Sequence, residues 1–438
     1  MFTVIRNAWK IPDVRKKMLF TLFIILIFRF GCAVPVPFIT GSGISSLFAN
    51  SDGNLLGYWD IMTGGGLSQA SVLSLGVTPY INASIIIQLL TVAIPALERM
   101  SKEGEEGRKK IAKITRYATV GFSLLLGLAY YLTLRNANSV AETKGFGGFF
   151  VACVIILSFT AGSALVMWMG EQINDNGLGN GISIILFAGI VSRVPSLVSG
   201  LWDKIQLGFS GETIYLILIP VYLILALAAV ALVVLMTEAE RRIPIQYAQR
   251  VVGRKVYGGQ NTHIPIKVNM TGVMPIIFAS TLVSLPGTIR DFTNLKPTSF
   301  LYKALSIFST GNLTGTLVYA LVYFVLIIAF NYFYVSIQYN PVEIANNLRK
   351  NSGTIPGIRP GKPTSDFIGK IVNRVTLIGA LLLALIAVGP ILLSIFFGQF
   401  MNMSLGGTSL LIVVGVALET VRTLESQMMM RHYKGFLD

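Results

Sequence analysis

The sequence is poor in the residues on which most enzymes and metal centres depend. Its 438 residues include two cysteines and two histidines, and only 13% of the residues are charged. Both cysteines lie in apolar runs and each histidine lies in a polar segment, so neither a disulfide framework nor a metal cluster is indicated. No glycine-rich loop followed by Lys-Ser/Thr is present to hold phosphates. We therefore predict no catalytic residue, no metal, no cofactor and no enzymatic activity.

The apolar runs are also nearly free of ionisable side chains. The few that occur include Arg29, toward the far end of the first run, and Glu419 and Arg422 in the last. A transporter driven by its own ion gradient normally keeps carboxylates or histidines at mid-membrane depth. Whatever crosses this protein is therefore expected to be driven from elsewhere. An inverted-repeat secondary transporter of a small solute stays as the alternative, and an insertase or scaffold that only offers an apolar groove is a second.

The sequence is rich in long apolar runs. Hydrophobic residues make up 53% of the chain, and the mean hydropathy is +0.68. This pattern is typical of an all-α polytopic membrane protein. Ten runs of about spanning length occur, at residues 18–34, 76–97, 117–134, 149–169, 182–200, 213–236, 272–289, 312–335, 374–394 and 407–428.

The distribution of basic residues predicts the orientation of these runs. Most of the 35 lysines and arginines lie at the termini or in alternate loops that share one side. By the positive-inside rule, both termini and these loops are cytoplasmic. An even number of spans is required, and ten satisfies it.

A polar stretch at 201–212, which we predict to be a hinge loop, divides the runs into five and five. It separates an N-terminal half, residues 1–200, from a C-terminal half, residues 213–438. Because five is odd, the second half enters the membrane from the opposite side. Halves that share a fold then form an inverted repeat, and substrate pathways tend to lie at the interface of such repeats.

The segment from Gly57 to Pro95 is the most unusual stretch of the chain. Residues 57–75 are rich in Ser and Gly, the chain breaks at 76–79, and an apolar helix follows. A broken helix at membrane depth is tolerated only where it is buried in protein or lines a water-filled cavity. We interpret 57–75 as a re-entrant element inside a cavity. The alternative is an ordinary outer loop followed by an ordinary span.

Two cytoplasmic loops, 237–271 and 336–373, are long for a compact bundle. The first alternates apolar and polar residues, which predicts short β-strands around a turn at Gly258-Gly259. The second predicts a helix with Asn340 as N-cap, Pro341 in its first position and Gly353 at its end. Ordered basic loops favour docking of a large acidic partner. The alternative is attraction to anionic lipid headgroups.

Five motifs together resemble the SecY/Sec61-alpha family of protein-conducting channels. They occur in register from the second run to the tenth: GGGLSQASVLSLGVTPYINASIIIQLL (64–90), GEQINDNGLGNGISIILFAGIV (170–191), THIPIKVNMTGVMPIIFAS (262–280), NPVEIANNLRKNSGTIPGIRPG (340–361) and GGTSLLIVVGVALET (406–420). The resemblance implies a central pore between the two halves, with a hydrophobic constriction, a plug helix and a seam that opens sideways to lipid.

The resemblance assigns residues to these parts. The ring of the constriction is Val77, Ile81, Ile182, Leu186, Ile277 and Ile412, of which Val77 and Leu186 replace the more usual Ile. The plug is the segment 57–75, centred on Ile61, Met62, Thr63, Gly64, Gly65, Gly66, Leu67 and Ser68. Polar residues expected at the lateral gate are Thr78, Asn82, Gln88, Thr271 and Asn331. The alternative for each gate residue is routine hydrogen bonding between helices.

The resemblance also implies a function and its partners. A polypeptide is expected to cross the bacterial plasma (inner) membrane, or to leave sideways into membrane lipid, driven by the motor ATPase SecA or by the translating ribosome. Signal peptides and nascent chains are the substrates, and SecE and SecG are the companion subunits. Ribosomal RNA phosphates or SecA are expected to dock on Arg242, Arg250, Arg254, Lys255 and Arg359.

Overall fold

The computed structural model describes residues 2–40, 60, 63–141, 145–210, 213–247, 250–252, 255–257, 262–292, 313–397 and 407–434. Helices dominate these residues. In the first part of the chain the helices are α1 (Phe2–Lys10), α2 (Pro12–Ala33), α3 (Thr78–Ala93), α4 (Pro95–Lys102), α5 (Glu105–Asn136), α6 (Gly145–Asn176), α7 (Gly181–Val191) and α8 (Val194–Phe209).

The second part of the chain adds six helices and five short strands to the described residues. They are α9 (Ile214–Glu238), β1 (Glu240–Tyr247), β2 (Arg250–Val252), β3 (Lys255–Tyr257), β4 (Thr262–Lys267), α10 (Met274–Phe292), α11 (Leu313–Gln338), α12 (Pro341–Lys350), β5 (Gly353–Thr354), α13 (Lys362–Phe397) and α14 (Gly407–Lys434).

Each of the ten predicted apolar runs overlaps a helix in the described part of the chain. By length and composition, six of these helical stretches are able to cross a membrane. A seventh is added if α3 and α4, which bend by 101° at their junction, count as one span. The ten-span, two-half topology remains a prediction.

The predicted polar connection at 201–212 is wrong over most of its length. Residues 201–209 continue α8, which begins with Pro195 in its first turn and ends at Phe209. Apolar residues interspersed with the polar ones extend this amphipathic helix beyond the fifth apolar run. The helix packs against α9, so the two parts of the chain are joined by a helical hairpin.

The helices form two groups. In the first group, α3, α6 and α2 pack around α5 and α7, and in the second, α10, α9 and α14 pack around α11 and α13. The groups meet along one seam where α10 packs against α3 and α5. They meet again where α14 packs against α7, α2 and α1. One buried apolar cluster runs through both groups and forms the core.

The two long loops form one folded unit. Strand β1 pairs antiparallel with β4, placing Ile243 opposite Ile264, and also with β5, placing Gln246 opposite Thr354. Ile243 and Ile245 are buried under this sheet together with Leu348 of α12 and Ile368 of α13. The predicted strands in 237–271 are therefore confirmed, although Gly258 and Gly259 lie outside the described residues.

Helix α12 begins as predicted but ends differently. The Asn340 side chain accepts hydrogen bonds from the backbone N–H groups of Val342 and Glu343, and Pro341 follows it. The helix ends at Lys350, and Ser352 adopts the left-handed conformation (φ 56°) expected of Gly353. Gly353 lies in β5 instead, where a Cβ atom would come within 3.0 Å of the Tyr247 ring.

Candidate functional site

The six ring residues come from four elements and lie in a single buried cluster. Val77 and Ile81 lie at the start of α3, Ile182 and Leu186 on α7, Ile277 on α10 and Ile412 on α14. All are at most 9% exposed. The structure therefore brings side chains from both helix groups together. Their role as a ring around a moving chain remains a prediction.

The turn before α7 places Ile182 in this cluster. Asn180 caps the helix, accepting hydrogen bonds from the backbone N–H groups of Ile182 (3.1 Å) and Ser183 (3.3 Å). At Gly170 of α6, a Cβ atom would lie 2.5 Å from Cδ1 of Ile182. Glycine at 170 therefore lets α7 start directly against α6, which aims Ile182 and, one turn later, Leu186 in the same direction.

The segment before α3 is buried, as a re-entrant element requires. Among the described plug residues, Thr63, Gly64, Gly66 and Leu67 are buried, whereas Gly65 and Ser68 are half-buried. Ile61 and Met62 lie outside the described residues. Such burial is inconsistent with an ordinary exposed loop over residues 63–77.

The backbone of this segment is irregular. Asp60 is helical, but residues 63–77 form successive turns interrupted by an isolated bridge at Ser71, so the predicted plug helix is wrong there. Gly64 (φ 69°), Gly65 (φ 87°) and Gly76 (φ 52°) adopt conformations that disfavour a continuous helix. The predicted break at 76–79 is confirmed, since α3 begins at Thr78 with Pro79 in its first turn.

Polar contacts fix the segment to three places in the first helix group. From α2, Arg29 donates a hydrogen bond to the Gly64 carbonyl oxygen (2.9 Å). From α5, the Tyr130 hydroxyl donates to the Leu67 carbonyl oxygen (2.6 Å). Between α7 and α8, Arg193 forms an ion pair with Asp60. Sequence reasoning missed Asp60, Tyr130 and Arg193 as contact residues.

The polar residues predicted at the seam divide into two kinds. Gln88 of α3 accepts a hydrogen bond from the hydroxyl of Tyr334 on α11, so this bond joins the two helix groups. Thr271 donates to Asn331 (2.6 Å), whose amide donates to the Thr376 carbonyl oxygen (3.2 Å). Those two bonds lie within the second group and do not cross the seam. A role of Thr271 and Asn331 at a lateral gate remains a prediction.

The remaining seam residues make weaker contributions. Thr78 and Asn82 are half-buried, and the Asn82 Oδ1 atom is buried with no hydrogen-bond partner among the described residues. Aromatic contacts dominate the second group's side of the seam, where the ring of Phe278 lies 5.1 Å from Tyr334 and 6.0 Å from Phe330. Tyr334 is therefore the seam residue that the sequence did not reveal.

The basic residues predicted for docking lie on the strands and turns of the loop unit. Arg242 is exposed on β1 and donates a hydrogen bond to Glu240 (2.6 Å), which lowers the pKa of that carboxyl below its usual value. Arg359 is exposed in the turn 355–361, between Gly357 and Gly361 at positive φ. Arg250 and Lys255 belong to β2 and β3, and Arg254 lies outside the described residues. Arg242 is thus partly neutralised, whereas Arg359 is free to contact a partner.

The described residues offer no obvious metal chemistry. Within them, no three His, Cys, Asp or Glu side chains are grouped so that they could hold a metal ion. Two groups of apolar helices that share a core, with a buried broken segment beside it, define a helical membrane protein of channel type.

Comparison with known proteins places the chain more narrowly. The SecY family model matches residues 71–421. The chain is 42% identical to "Protein translocase subunit SecY" of Streptomyces coelicolor over 447 residues, and 40% identical to the Bacillus subtilis subunit of the same name over 444 residues. Both alignments cover 100% of each chain. The chain belongs to the SecY family.

Solved structures share the fold. A structure described as "The structure of a protein conducting channel" aligns with a TM-score of 0.70 at 18% identity, over 97% of each chain. A structure of Sec61 in the canine ribosome-channel complex aligns at 0.65 and 17% identity, also over 97% of each chain. A third structure, in which the SecY plug domain is described as stabilising the closed channel, aligns at 0.69 and 18% identity over 97% of each chain.

Proposed function

We propose that this chain is the channel-forming subunit of a protein translocase. It passes unfolded secretory polypeptides across the plasma membrane and releases apolar segments sideways into lipid. One observation carries the proposal: six apolar side chains from both helix groups share a buried cluster beside a broken re-entrant segment. The full-length similarity to translocase subunits SecY supports it.

The ring explains how such a channel can conduct peptides without leaking ions. Bulky apolar side chains fit a polypeptide of any sequence, because they make no directional contact with it. A narrow apolar neck also loses its water, which blocks ions. Val77, Ile81, Ile182, Leu186, Ile277 and Ile412 act together in this neck.

The segment 57–75 acts as the plug that seals the resting channel. Most of its described residues are buried against the first helix group, and the segment directly precedes the start of α3, where Val77 and Ile81 lie. The relative whose plug is described as maintaining a membrane seal supports this assignment. The segment leaves its site when a chain enters the pore.

The seam between α10 and α3 with α5 acts as the lateral gate. A signal helix that enters there separates α10 from α3 and α5, packs its own apolar face against them, and breaks the bond between Tyr334 and Gln88. Ligand binding shifts such an equilibrium by the difference between its contacts in the two states. Thr78 and Asn82 present polar groups to the same region, whereas Thr271 and Asn331 keep the second group intact.

The chain has its partners on the cytoplasmic side and within the membrane. Both termini and the loop unit are cytoplasmic, and ten spans form two inverted halves. SecA or the ribosome docks on Arg359, Arg250, Arg254 and Lys255, with a smaller share from Arg242. A relative that is described in a ribosome-channel complex supports the ribosome as a partner. SecE clamps the two halves, and SecG is a further small subunit.

Vesicle transport tests the proposal against the secondary transporter. The purified chain with its companion subunits is reconstituted into liposomes, and a signal-bearing polypeptide is added with SecA and ATP. We expect protease-protected polypeptide only when signal, SecA and ATP are all present. Uptake of a small solute driven by an ion gradient, without protected polypeptide, would favour the transporter.

A further inference from the structure

The plug segment carries a charge that the family resemblance does not explain. Asp60 is 3% exposed, and one of its carboxylate oxygens pairs with the guanidinium of Arg193. The other carboxylate oxygen accepts a hydrogen bond from the backbone N–H of Ser68 (2.7 Å). The carboxylate therefore joins the start of the described segment to its middle, at Ser68, and to the break between α7 and α8.

A second cation lies on the other side of the segment. Arg29 of α2 donates to the Gly64 carbonyl oxygen, and a Cβ atom at Gly64 would lie 2.6 Å from that guanidinium. The same Cβ atom would lie 3.1 Å from Cα of Gly189 on α7. The backbone of the segment is thus held closely between α2 and α7.

The two charges of the pair differ in what happens when the segment leaves. Asp60 moves with the segment, whereas Arg193 stays on the frame of the channel at the start of α8. The Arg193 side chain is only 28% exposed, so departure of Asp60 leaves a largely covered cation without its partner. Separating a buried ion pair is unfavourable because the remaining charge is neither paired nor well hydrated.

We propose that the Asp60–Arg193 ion pair is a latch that holds the plug segment in its closed position and must break for the channel to open. This inference rests on the proposed function of the segment as a plug. The ion pair therefore stabilises the closed channel in addition to the apolar ring, which excludes water and ions.

The position of Arg193 links the latch to the ring. Arg193 lies two residues beyond the end of α7, and α7 carries Ile182 and Leu186. Leu186 and Arg193 are seven positions apart, which at the rise of a helix corresponds to about 10 Å. A polypeptide that pushes Leu186 outward also moves Arg193 away from Asp60. The latch therefore opens in response to an occupied pore, and a resting channel stays sealed.

Ion flux through the resting channel tests the latch. The full chain with its companion subunits is reconstituted into vesicles without any translocating polypeptide, and halide flux is recorded. We expect Asp60→Asn and Arg193→Gln each to raise the flux by at least about tenfold, since each leaves one charge of the pair without its partner. Arg135→Gln is the matched control, because Arg135 is an exposed arginine at the end of α5 on the same predicted side. Its flux is expected to equal that of the parent.

The exchanged pair, Asp60→Arg with Arg193→Asp, separates a latch from general damage. Opposite charges then face each other again, so we expect the flux to return toward the parent value. If the single variants leak and the exchanged pair leaks equally, ion pairing does not hold the segment and the latch is wrong.

A cross-link reports the position of the segment independently. The thiol of Cys32 lies 3.6 Å from the Thr63 carbonyl oxygen, so Thr63→Cys offers a disulfide to α2 in a Cys153→Ser background. We expect a high yield of this disulfide in the resting channel and a lower yield when Asp60→Asn is added. An unchanged yield, together with unchanged flux in both single variants, overturns the latch.

Deletion of residues 60–72 distinguishes failure of the latch from failure of the plug. If the deletion leaks while the single variants do not, the plug function stands and the latch alone is wrong. If the deletion does not leak, the proposed plug function fails and the latch fails with it.

Discussion

The proposed plug segment and the proposed lateral gate are held in place by different kinds of contact. The segment is fixed by an ion pair and by hydrogen bonds from Arg29 and Tyr130, all to one helix group. The seam is closed where α10 packs against α3 and α5, and the bond between Tyr334 and Gln88 joins the two groups. An apolar helix can replace the apolar contacts of the seam with its own. The plug segment, in contrast, can move only after its ion pair and hydrogen bonds have broken.

Reversing the charge at Arg193 is expected to have the largest effect. Arg193→Glu places a second carboxylate beside Asp60, so attraction in the closed plug becomes repulsion. Breaking a fully buried pair costs about 3–5 kcal/mol, and the closed state loses a part of that stabilisation because the Arg193 side chain is 28% exposed. Halide flux through resting vesicles should rise strongly, with Arg135→Glu as the control for charge alone. Equal flux in Arg193→Glu and Arg135→Glu would contradict the claim that polar contacts hold the plug segment in place.

Removing the Tyr334 ring is expected to weaken the seam by a smaller amount. Tyr334→Ala deletes the hydrogen bond to Gln88 and the contact with Phe278, at a cost of about 2 kcal/mol for a half-buried ring. Segments of lower hydrophobicity should then leave sideways into lipid. The measurement is the threshold for membrane integration of a graded series of model segments. An unchanged threshold would show that other contacts close the seam.

Adding one methyl group to the segment sharpens the contrast further. Gly64→Ala places a Cβ atom at positive φ against Gly189, for a cost of about 1–2 kcal/mol. Resting flux should rise modestly, and the integration threshold should not change, because Gly64 is remote from the seam contacts. Gly121→Ala serves as control, since a Cβ atom there meets nothing within 4 Å. A shift in the threshold without added flux would contradict the separation of the two closures.

Removing only the Tyr334 hydroxyl is expected to have the smallest effect. Tyr334→Phe keeps the ring contacts and loses one hydrogen bond, which is worth about 0.5–1.5 kcal/mol. The integration threshold should fall by less than in Tyr334→Ala, and flux through the resting plug should stay at the parent level. If Tyr334→Phe and Tyr334→Ala lower the threshold equally, the hydrogen bond to Gln88 contributes more to closing the seam than the apolar packing does.

The sequence predicted those features of the fold that depend on a few neighbouring residues, such as the starts of helices. Gly76 and Pro79 mark the start of α3, and Asn340 with Pro341 marks the start of α12, because each residue type restricts its own backbone. The apolar runs overlap the helices, and the alternating residues of 237–271 form strands. The boundary after the fifth run was wrong, since a polar amphipathic continuation of α8 resembles a loop in composition.

Contacts between distant residues were not predictable in the same way. Periodicity shows that Tyr334 lies on a helix, but it does not show that Gln88 of α3 faces it. Asp60 and Arg193 belong to segments whose proximity depends on how α7 packs against the re-entrant turns. Thr271 and Asn331 were assigned to the seam by register, yet they bond to each other inside one group. These pairings depend on how the helices pack, and one sequence alone does not show which distant residues come into contact.

Cross-linking to a polypeptide halted in transit tests the central claim most directly. In a background with Cys32→Ser and Cys153→Ser, single cysteines replace Ile81, Ile182, Ile277 or Ile412, and Leu227 of α9, which is 71% exposed, is the control position. The account predicts that each ring cysteine cross-links to the halted chain and that Cys at 227 does not. Cross-linking at 227 with none at the four ring positions would contradict a pore between the two helix groups.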